Sequence, residues 1–360
     1  MVESRLIGPV RVVGAGLLGT SIGLGLTARG LDVILADASP TNLSLAIDYG
    51  AGRAAAAGDA PQLIVVCVPP DVTADIVARE LEAFPDAIVT DVASVKLAPL
   101  TELRERGADV SRYIGSHPLA GRERGGPLAG RADLFIGRPW VVAAHDAISY
   151  QRATAIDDLI LDLGATLVEM SPEDHDNAVA LVSHVPQVVS TLMARRLTDA
   201  PGSALNLAGG GVRDVTRVAA SDPELWVQIL GANPAPVRQI LLALRDDLDR
   251  FIDALADPAA PGARRQVAEE IAGGNTGVAR LPGKHGQDRR YSVITVMVDD
   301  TPGQLARLFN EIGEVGVNLE DLRLEHSPGA QIGLAEISIL PEAVTRLTSE
   351  LAARGWRIVG

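Results

Sequence analysis

Val10-Arg11-Val12-Val13-Gly14-Ala15-Gly16-Leu17-Leu18-Gly19 is a β-branched run that ends in G-x-G-x-x-G, with the apolar stretch Leu18–Arg29 behind it. The run reads as a buried parallel strand and the stretch as a helix. Each glycine at the junction has a physical reason. Gly14 permits a tight turn, Gly16 lets the backbone approach a pyrophosphate, and Gly19 lets the helix pack close to the strand. The helix start at Leu17 and Leu18 offers unpaired N–H groups and a positive dipole end to phosphates. A second run, Val33–Ala36, ends on Asp37. A carboxylate there accepts hydrogen bonds from adenosine ribose hydroxyls and repels a 2′-phosphate, which predicts NAD rather than NADP as the cofactor.

Outward from this loop, short β-branched runs alternate with helical stretches. Leu63–Val68, Ile88–Thr90 and Trp140–Ala143 read as strands, Thr73–Phe84 as a helix, and Thr166–Val168 as the run that completes the domain. Such alternation predicts an α/β Rossmann domain over residues 1–170. Val66-Cys67-Val68-Pro69-Pro70 ends a strand on the same carboxyl edge, which adds Val68 and Pro69 to the cofactor contacts.

The texture changes at Ser171-Pro172-Glu173-Asp174. Ser171 suits an N-cap, Pro172 the first helical position, and the acids the first turn. Asn177–Leu197, Leu225–Leu230 and Pro236–Leu255 are helical, which predicts an all-α domain over residues 171–282. Its long apolar helices suit packing against a second copy, so a homodimer is expected. Gly273-Gly274-Asn275-Thr276-Gly277 and Leu281–Arg290 read as a linker. Beyond it, strands at Tyr291–Val298, Val317–Glu325, Gln331–Leu340 and Trp356–Val359 enclose helices at Thr301–Val315 and Glu342–Ala353. That is a small α+β domain of ferredoxin-like βαββαβ order over residues 291–360.

Composition narrows the function. Apolar residues make up 47% of the 360, enough for a large core in each domain, and the net charge of −14 disfavours nucleic acid as a partner. The single cysteine, Cys67, rules out an intrachain disulfide and fits a reducing compartment. The first strand starts at Val10, which leaves no room for a signal peptide, and no window approaches 18 apolar residues. The expectation is a soluble cytoplasmic protein with no membrane span.

Of the six histidines, His117 stands out, in Ile114-Gly115-Ser116-His117-Pro118-Leu119-Ala120-Gly121. It follows a short apolar segment and precedes a glycine-rich loop. At a strand end on the cofactor edge, a histidine is placed to take a proton from a hydroxyl as hydride leaves the same carbon. His175, in the first turn of its helix, reads as solvated or capping. His184 and Gln187 are three apart and share a helix face. Trp226 is read as core, with a site wall as the alternative.

Asp91-Val92-Ala93-Ser94-Val95-Lys96, His117-Pro118-Leu119-Ala120-Gly121 with Glu123 beyond it, and Ser183-His184-Val185-Pro186-Gln187 resemble the prephenate dehydrogenase family. So does Gly209-Gly210-Gly211-Val212-Arg213-Asp214-Val215-Thr216-Arg217, followed by Ser221-Asp222-Pro223-Glu224-Leu225-Trp226. These pieces run in the family's order over roughly residues 8–285. The resemblance implies NAD-dependent oxidative decarboxylation of prephenate in tyrosine biosynthesis, with no metal. It implies that His117 receives the ring-hydroxyl proton, that Ser94 supports the hydroxyl and the histidine, and that Arg217 pairs with the ring carboxylate. A planar guanidinium suits that carboxylate. Asp214 could hold Arg217, Arg213 would add positive potential, and Glu123 resembles an acid at the site entrance. His184 is open between a substrate contact and a structural role. Many family members carry a second histidine where this chain has Gln187, which leaves arogenate open as the substrate.

Val298-Asp299-Asp300-Thr301-Pro302-Gly303-Gln304-Leu305 and Gly316-Val317-Asn318-Leu319-Glu320-Asp321 resemble the ACT domain, a regulatory fold that binds amino acids. Asp300, Gly303 and Asn318 are the matched positions, and tyrosine is the expected inhibitor. A hydroxyacid or imine reductase of similar architecture would not explain Ser94, His117 and Arg217 together. A non-catalytic amino-acid sensor would not need the intact glycine loop.

Overall fold

The computed structural model describes residues 4–121, 125–148, 150–281, 291–326 and 332–359. The chain divides into two compact units, one of residues 1–189 and 219–243, the other of residues 190–218 and 244–360.

The first unit opens with β1 (Val10–Val13), α1 (Leu17–Thr27), β2 (Val33–Ala36), α2 (Pro40–Asp48), β3 (Arg53–Ala54), β4 (Leu63–Val66), α3 (Pro70–Ala83) and β5 (Ile88–Asp91). The five strands form a parallel sheet in the order β3-β2-β1-β4-β5. Both faces are covered, which explains the unbroken apolar runs. Leu63 and Val65 of β4 join Ile22 and Leu26 of α1 on one side, and Ile64 and Val66 join Val77 and Leu81 of α3 on the other. The strand order reverses between β1 and β4, so the cofactor crevice of such sheets opens beyond their carboxyl ends.

After α4 (Leu97–Glu105) come β6 (Gly115–Pro118), β7 (Pro139–Ala143), α5 (Tyr150–Asp162) and β8 (Thr166–Met170). These strands form a separate sheet, with β6 antiparallel and β8 parallel to β7. The Trp140 and Thr166 runs therefore do not extend the parallel sheet. The extra strand is β6, whose Ser116 is tied to the end of β5. The Ser116 hydroxyl donates to the Asp91 carbonyl at 2.8 Å and accepts from Trp140 Nε1 at 3.0 Å.

The helical part comprises α6 (Pro172–Val179), a π turn at Ala180–His184, α7 (Val185–Arg196), α8 (Gly202–Leu205), α9 (Gly210–Thr216), α10 (Pro223–Ala232), α11 (Pro234–Ala256) and α12 (Ala263–Val278). Ser171 caps α6, accepting the Asp174 amide at 3.0 Å. The π turn sits just before Pro186, whose missing N–H loosens the helical ladder there. By length and composition, Pro172–Arg196 is long and apolar enough to cross a membrane, contrary to the sequence expectation. Its His175, His184 and Gln187 side chains are buried.

In the second unit, Gly273–Gly277 is not a linker but part of α12. Each glycine costs a helix about 1 kcal/mol relative to alanine, yet the strong helix formers ahead of them carry the helix through. Arg250 of α11 pairs with Glu270 and accepts Gln266 Nε2 at its carbonyl, which fastens α12 alongside. Leu281 lies at a bend, and the rest of the Leu281–Arg290 stretch lies outside the described residues. The C-terminal part contains β9 (Ser292–Asp299), α13 (Gln304–Glu314), β10 (Asp321–His326), β11 (Ile332–Ile339), α14 (Val344–Ala353) and β12 (Arg357–Val359). Its antiparallel sheet has the order β10-β11-β9-β12. The second strand is shorter than the sequence suggested, because Val317–Glu320 runs as a loop into β10. Ile294, Val296, Ile337 and Ile339 pack beneath Leu308, Ile312, Leu347 and Leu351 of the two helices.

Candidate active site

The glycine loop has the geometry that its sequence requires. Gly14 adopts φ +103°, and a Cβ there would stand 2.2 Å from the Cys67 carbonyl oxygen. A Cβ on Gly19 would stand 1.8 Å from the Gly14 carbonyl oxygen, so α1 can approach β1 only with glycine there. Gly16, the N-cap of α1, faces open space. That is the cradle a pyrophosphate needs, at the positive end of an 11-residue helix begun by Leu17 and Leu18. Asp37 lies just past β2, and its carboxylate accepts the Ala15 amide at 2.5 Å and the Ser39 amide at 2.7 Å. The acid thus braces the loop from the position at which an adenosine ribose would arrive. Val68 is half-buried, and its Cγ1 would lie 3.3 Å from a Cβ on Gly14. Exposed Pro69 caps α3, and Pro70 opens it. These residues fit a dinucleotide.

His117 lies within β6, half-buried, one residue beyond the Ser116 anchor. Its Nδ1 is 2.9 Å from Nε2 of His175, whose own Nδ1 is 2.7 Å from Oδ1 of Asp176. His175, expected to be solvated or capping, is instead fully buried, because the face of α6 that carries Pro172, His175 and Asp176 turns inward while Glu173 and Asp174 stay exposed. Asp176 Oδ1 also accepts the Lys96 amide at 2.8 Å, and its Oδ2 accepts the Leu97 amide at 3.0 Å. One carboxylate therefore holds both a histidine and the start of α4. Sequence reasoning missed this relay; its only visible signal was the adjacency of His175 and Asp176.

Between β5 and α4 runs the Ser94 loop. Lys96 turns back inside it and pairs with Asp91, both side chains wholly buried. Asp91 also accepts the Tyr113 hydroxyl at 2.7 Å and the Ala93 amide at 2.8 Å. Half-buried Ser94 sits in the span that this pair closes, and its hydroxyl makes no hydrogen bond among the described residues. Burial pushes the Lys96 ammonium down against the pull of Asp91, and pushes the Tyr113 phenol up. His117 is held well below the ordinary histidine range, first by loss of water and then by the nearby His175, Lys96 and His184. At neutral pH its ring is uncharged and able to take a proton.

His184, at the end of the π turn, is buried and stands edge-on to Trp226 at 6.1 Å. Its Nδ1 lies 3.3 Å from the Asn233 amide nitrogen, and burial lowers its pKa to about 4. Gln187 is buried and donates to the Ser221 hydroxyl at 2.6 Å. Trp226 is half-buried. Arg213 in α9 and Arg217 in the turn after it are exposed and belong to the second unit, whereas Ser94, His117, His184 and Gln187 belong to the first. The expected Asp214–Arg217 ion pair is not formed, and neither arginine has one among the described residues. Glu123 lies outside the described residues. In the C-terminal part, Asp300 is exposed in the turn before α13, and Gly303 starts that helix at φ +93°. Exposed Asn318 donates to Glu320 at 3.0 Å.

Residues 22–169 match the nucleotide-binding domain of prephenate dehydrogenase, and residues 171–269 match that family's dimerization domain. A "Probable prephenate dehydrogenase NovF" of Streptomyces niveus is 36% identical over 96% of this chain and 98% of its own length. The chain belongs to the prephenate dehydrogenase family. A cyclohexadienyl dehydrogenase of Zymomonas mobilis is 31% identical over 69% of this chain and 88% of its own length. The structure of Synechocystis arogenate dehydrogenase superposes with TM-score 0.62 at 27% identity, covering 74% of this chain and 99% of that one. A prephenate dehydrogenase from Aquifex aeolicus, solved with hydroxyphenyl propionate and NAD+, shares the fold at TM-score 0.66 and 24% identity, covering 77% of this chain and all of that one. As a member of this family, the chain is an NAD-dependent dehydrogenase with a small-molecule substrate.

Proposed function

We propose that this chain converts prephenate to 4-hydroxyphenylpyruvate, with His117 as the base, in the tyrosine branch of aromatic amino acid biosynthesis. The observation that carries the reading is His117 itself: uncharged, bonded from behind by His175, and on the strand next to the Ser94 loop. NAD over the glycine loop supplies the acceptor for the hydride that leaves C4 of the ring. His117 takes the proton of the C4 hydroxyl, and Ser94 supports that hydroxyl. The resemblance to the family assigns the ring carboxylate to Arg217 and added positive potential to Arg213. When the carboxylate leaves as CO2, the electrons of its C–C bond enter the ring, and aromatisation pulls the reaction forward. The C4 oxygen ends as the phenol and regains its proton from His117. His184, Gln187 and Asp37 shape the pocket for the side chain and the adenosine ribose. The homodimer is the working assembly, and the cytoplasm is the expected location.

Arogenate is the second reading, favoured by Gln187. Its amide, held by Ser221, can face a keto acid or an amino acid, because an amide offers both donors and acceptors. Purified protein with NAD and each substrate in turn, followed by NADH absorbance, separates the two. No NADH from either substrate overturns the reading.

The C-terminal part is proposed as an ACT-like module that binds tyrosine. The left-handed start of α13 at Gly303, the neighbouring Asp300 and Asn318 support this. The chain cut after Leu281, beyond α12, is expected to lose inhibition by tyrosine while keeping turnover. Equal inhibition of both forms would mean competition at the active site.

A further inference from the structure

We propose that Asp176 and His175 set the tautomer of His117, protonating its Nδ1 and leaving Nε2 as the basic nitrogen. This rests on His117 being the base of the reaction and specifies which of its atoms acts and what keeps it ready.

The argument is one of donors and acceptors. Backbone N–H groups can only donate, and Asp176 receives two of them, from Lys96 at 2.8 Å and Leu97 at 3.0 Å. The two amides lie at the start of α4, where the helix dipole favours a negative charge. Asp176 is therefore engaged as an acceptor, so the nitrogen 2.7 Å from its Oδ1, Nδ1 of His175, must carry a hydrogen. A neutral imidazole has one donor and one acceptor nitrogen, so Nε2 of His175 is then the acceptor. His117 Nδ1, 2.9 Å away, must donate to it, and the only lone pair left on the His117 ring is at Nε2.

Two features keep the chain from running in reverse. His175 has no exposed surface, so water cannot supply a substitute donor or acceptor. The remaining charged groups around the rings are paired or raise no competing donor: Lys96 is tied to Asp91, which also holds Tyr113, and His184 meets Asn233 through its own Nδ1. When Nε2 takes the substrate proton, the charge on His117 is shared through His175 with the Asp176 carboxylate. An orienting partner behind a functional histidine works in the same way in metal sites and hydrolases. His175 and Asp176 are positioning residues and do not touch the reacting atoms.

The ring nitrogens of His117 in the full-length wild-type protein, read by ¹⁵N NMR of labelled histidine at pH 7.5, test the assignment directly and need no turnover. The expected spectrum has Nδ1 protonated and Nε2 bare; the opposite assignment overturns the proposal. His175→Phe keeps a ring but cannot accept from His117, and kcat is expected to fall about 100-fold or more. NAD affinity and the KM for prephenate should stay within about twofold. His175→Gln, whose oxygen can accept from His117 while its nitrogen donates to Asp176, should restore kcat to within about tenfold of wild type. A His175→Phe enzyme that binds NAD and retains kcat within about threefold overturns the proposal. Absence of NADH formation by the wild type with either substrate would instead remove the reading of His117 as the base, whatever tautomer the spectrum shows.

Discussion

Lys96→Met tests how the Ser94 loop is held. The Lys96 and Asp91 side chains are both 0% exposed, and among the described residues the other donors to the Asp91 carboxylate are the Tyr113 hydroxyl and the Ala93 amide. Methionine keeps the length and much of the volume of lysine but removes the ammonium. The carboxylate is then left in the core with neutral partners. Breaking one side of a buried pair costs about 3–5 kcal/mol, far above the value of an exposed pair. In a unit of this size each kcal/mol shifts Tm by about 2–4 °C, so a fall of about 6–20 °C is expected. Adding Asp91→Asn removes the stranded charge, and its amide can still meet Tyr113. The double variant should therefore regain most of the loss, with a coupling of at least about 2 kcal/mol in the double-mutant cycle. Urea unfolding of the wild type, both single variants and the double variant, extrapolated to water, gives the four free energies. If Lys96→Met lost less than about 1 kcal/mol, or if the double variant were no more stable than Lys96→Met, the pair would not be what closes the loop.

Three further outcomes concern chemistry and cofactor choice. His117→Asn should lower kcat by roughly 100- to 10,000-fold while leaving NAD affinity unchanged in a fluorescence titration. Because the His117 pKa lies well below 6.5, wild-type kcat/KM should stay level from about pH 8 down through 6.5 and fall only at lower pH, where the base becomes protonated; a decline centred above 6.5 would point to another group. Arg217→Ala should raise the KM for prephenate by about 30-fold or more, since losing one partner of a desolvated pair costs about 2–5 kcal/mol; an unchanged KM removes Arg217 from the site. Asp37→Ser should relax cofactor choice toward NADP, by loss of ribose acceptance and of repulsion of a 2′-phosphate, and a wild type indifferent to the two cofactors would sink that assignment.

The glycine loop was legible because its reasons are local: a turn, a close approach and a helix start all lie within one short stretch. The helix cap at Ser171 and the βαββαβ order at the C-terminus were legible for the same reason. The His175 relay was not, because its anchor is far away in sequence. Asp176 caps a helix eighty residues earlier, and nothing in the periodicity around His175 shows that. The Gly273–Gly277 stretch misled in the other direction. Glycine lowers helix propensity without forbidding a helix, and the pairing of α12 with α11 decided the matter. Ser116 was read only as a neighbour of His117, yet its hydroxyl ties β6 to Asp91 and Trp140, and β6 is a strand by its antiparallel pairing with β7.

The π turn at Ala180–His184 changes the phase of everything after it. Nine residues separate His175 from His184, and at about 100° per residue an uninterrupted α-helix would turn them to nearly opposite sides. A turn closed by an i→i+5 bond absorbs one extra residue, so the net rotation is that of about eight steps, and the two rings come within roughly 80° of each other. Both histidines consequently bear on the electrostatics of His117. Gln187, three residues further along, inherits the same rotation. Were the turn to close into regular α geometry with no residue removed, His184 and Gln187 would swing together by about 100°, away from the side on which His175 lies, whereas deleting one residue from it would leave their phase as it is. A small irregularity in one helix thus acts as the gear that sets where the far half of the pocket points.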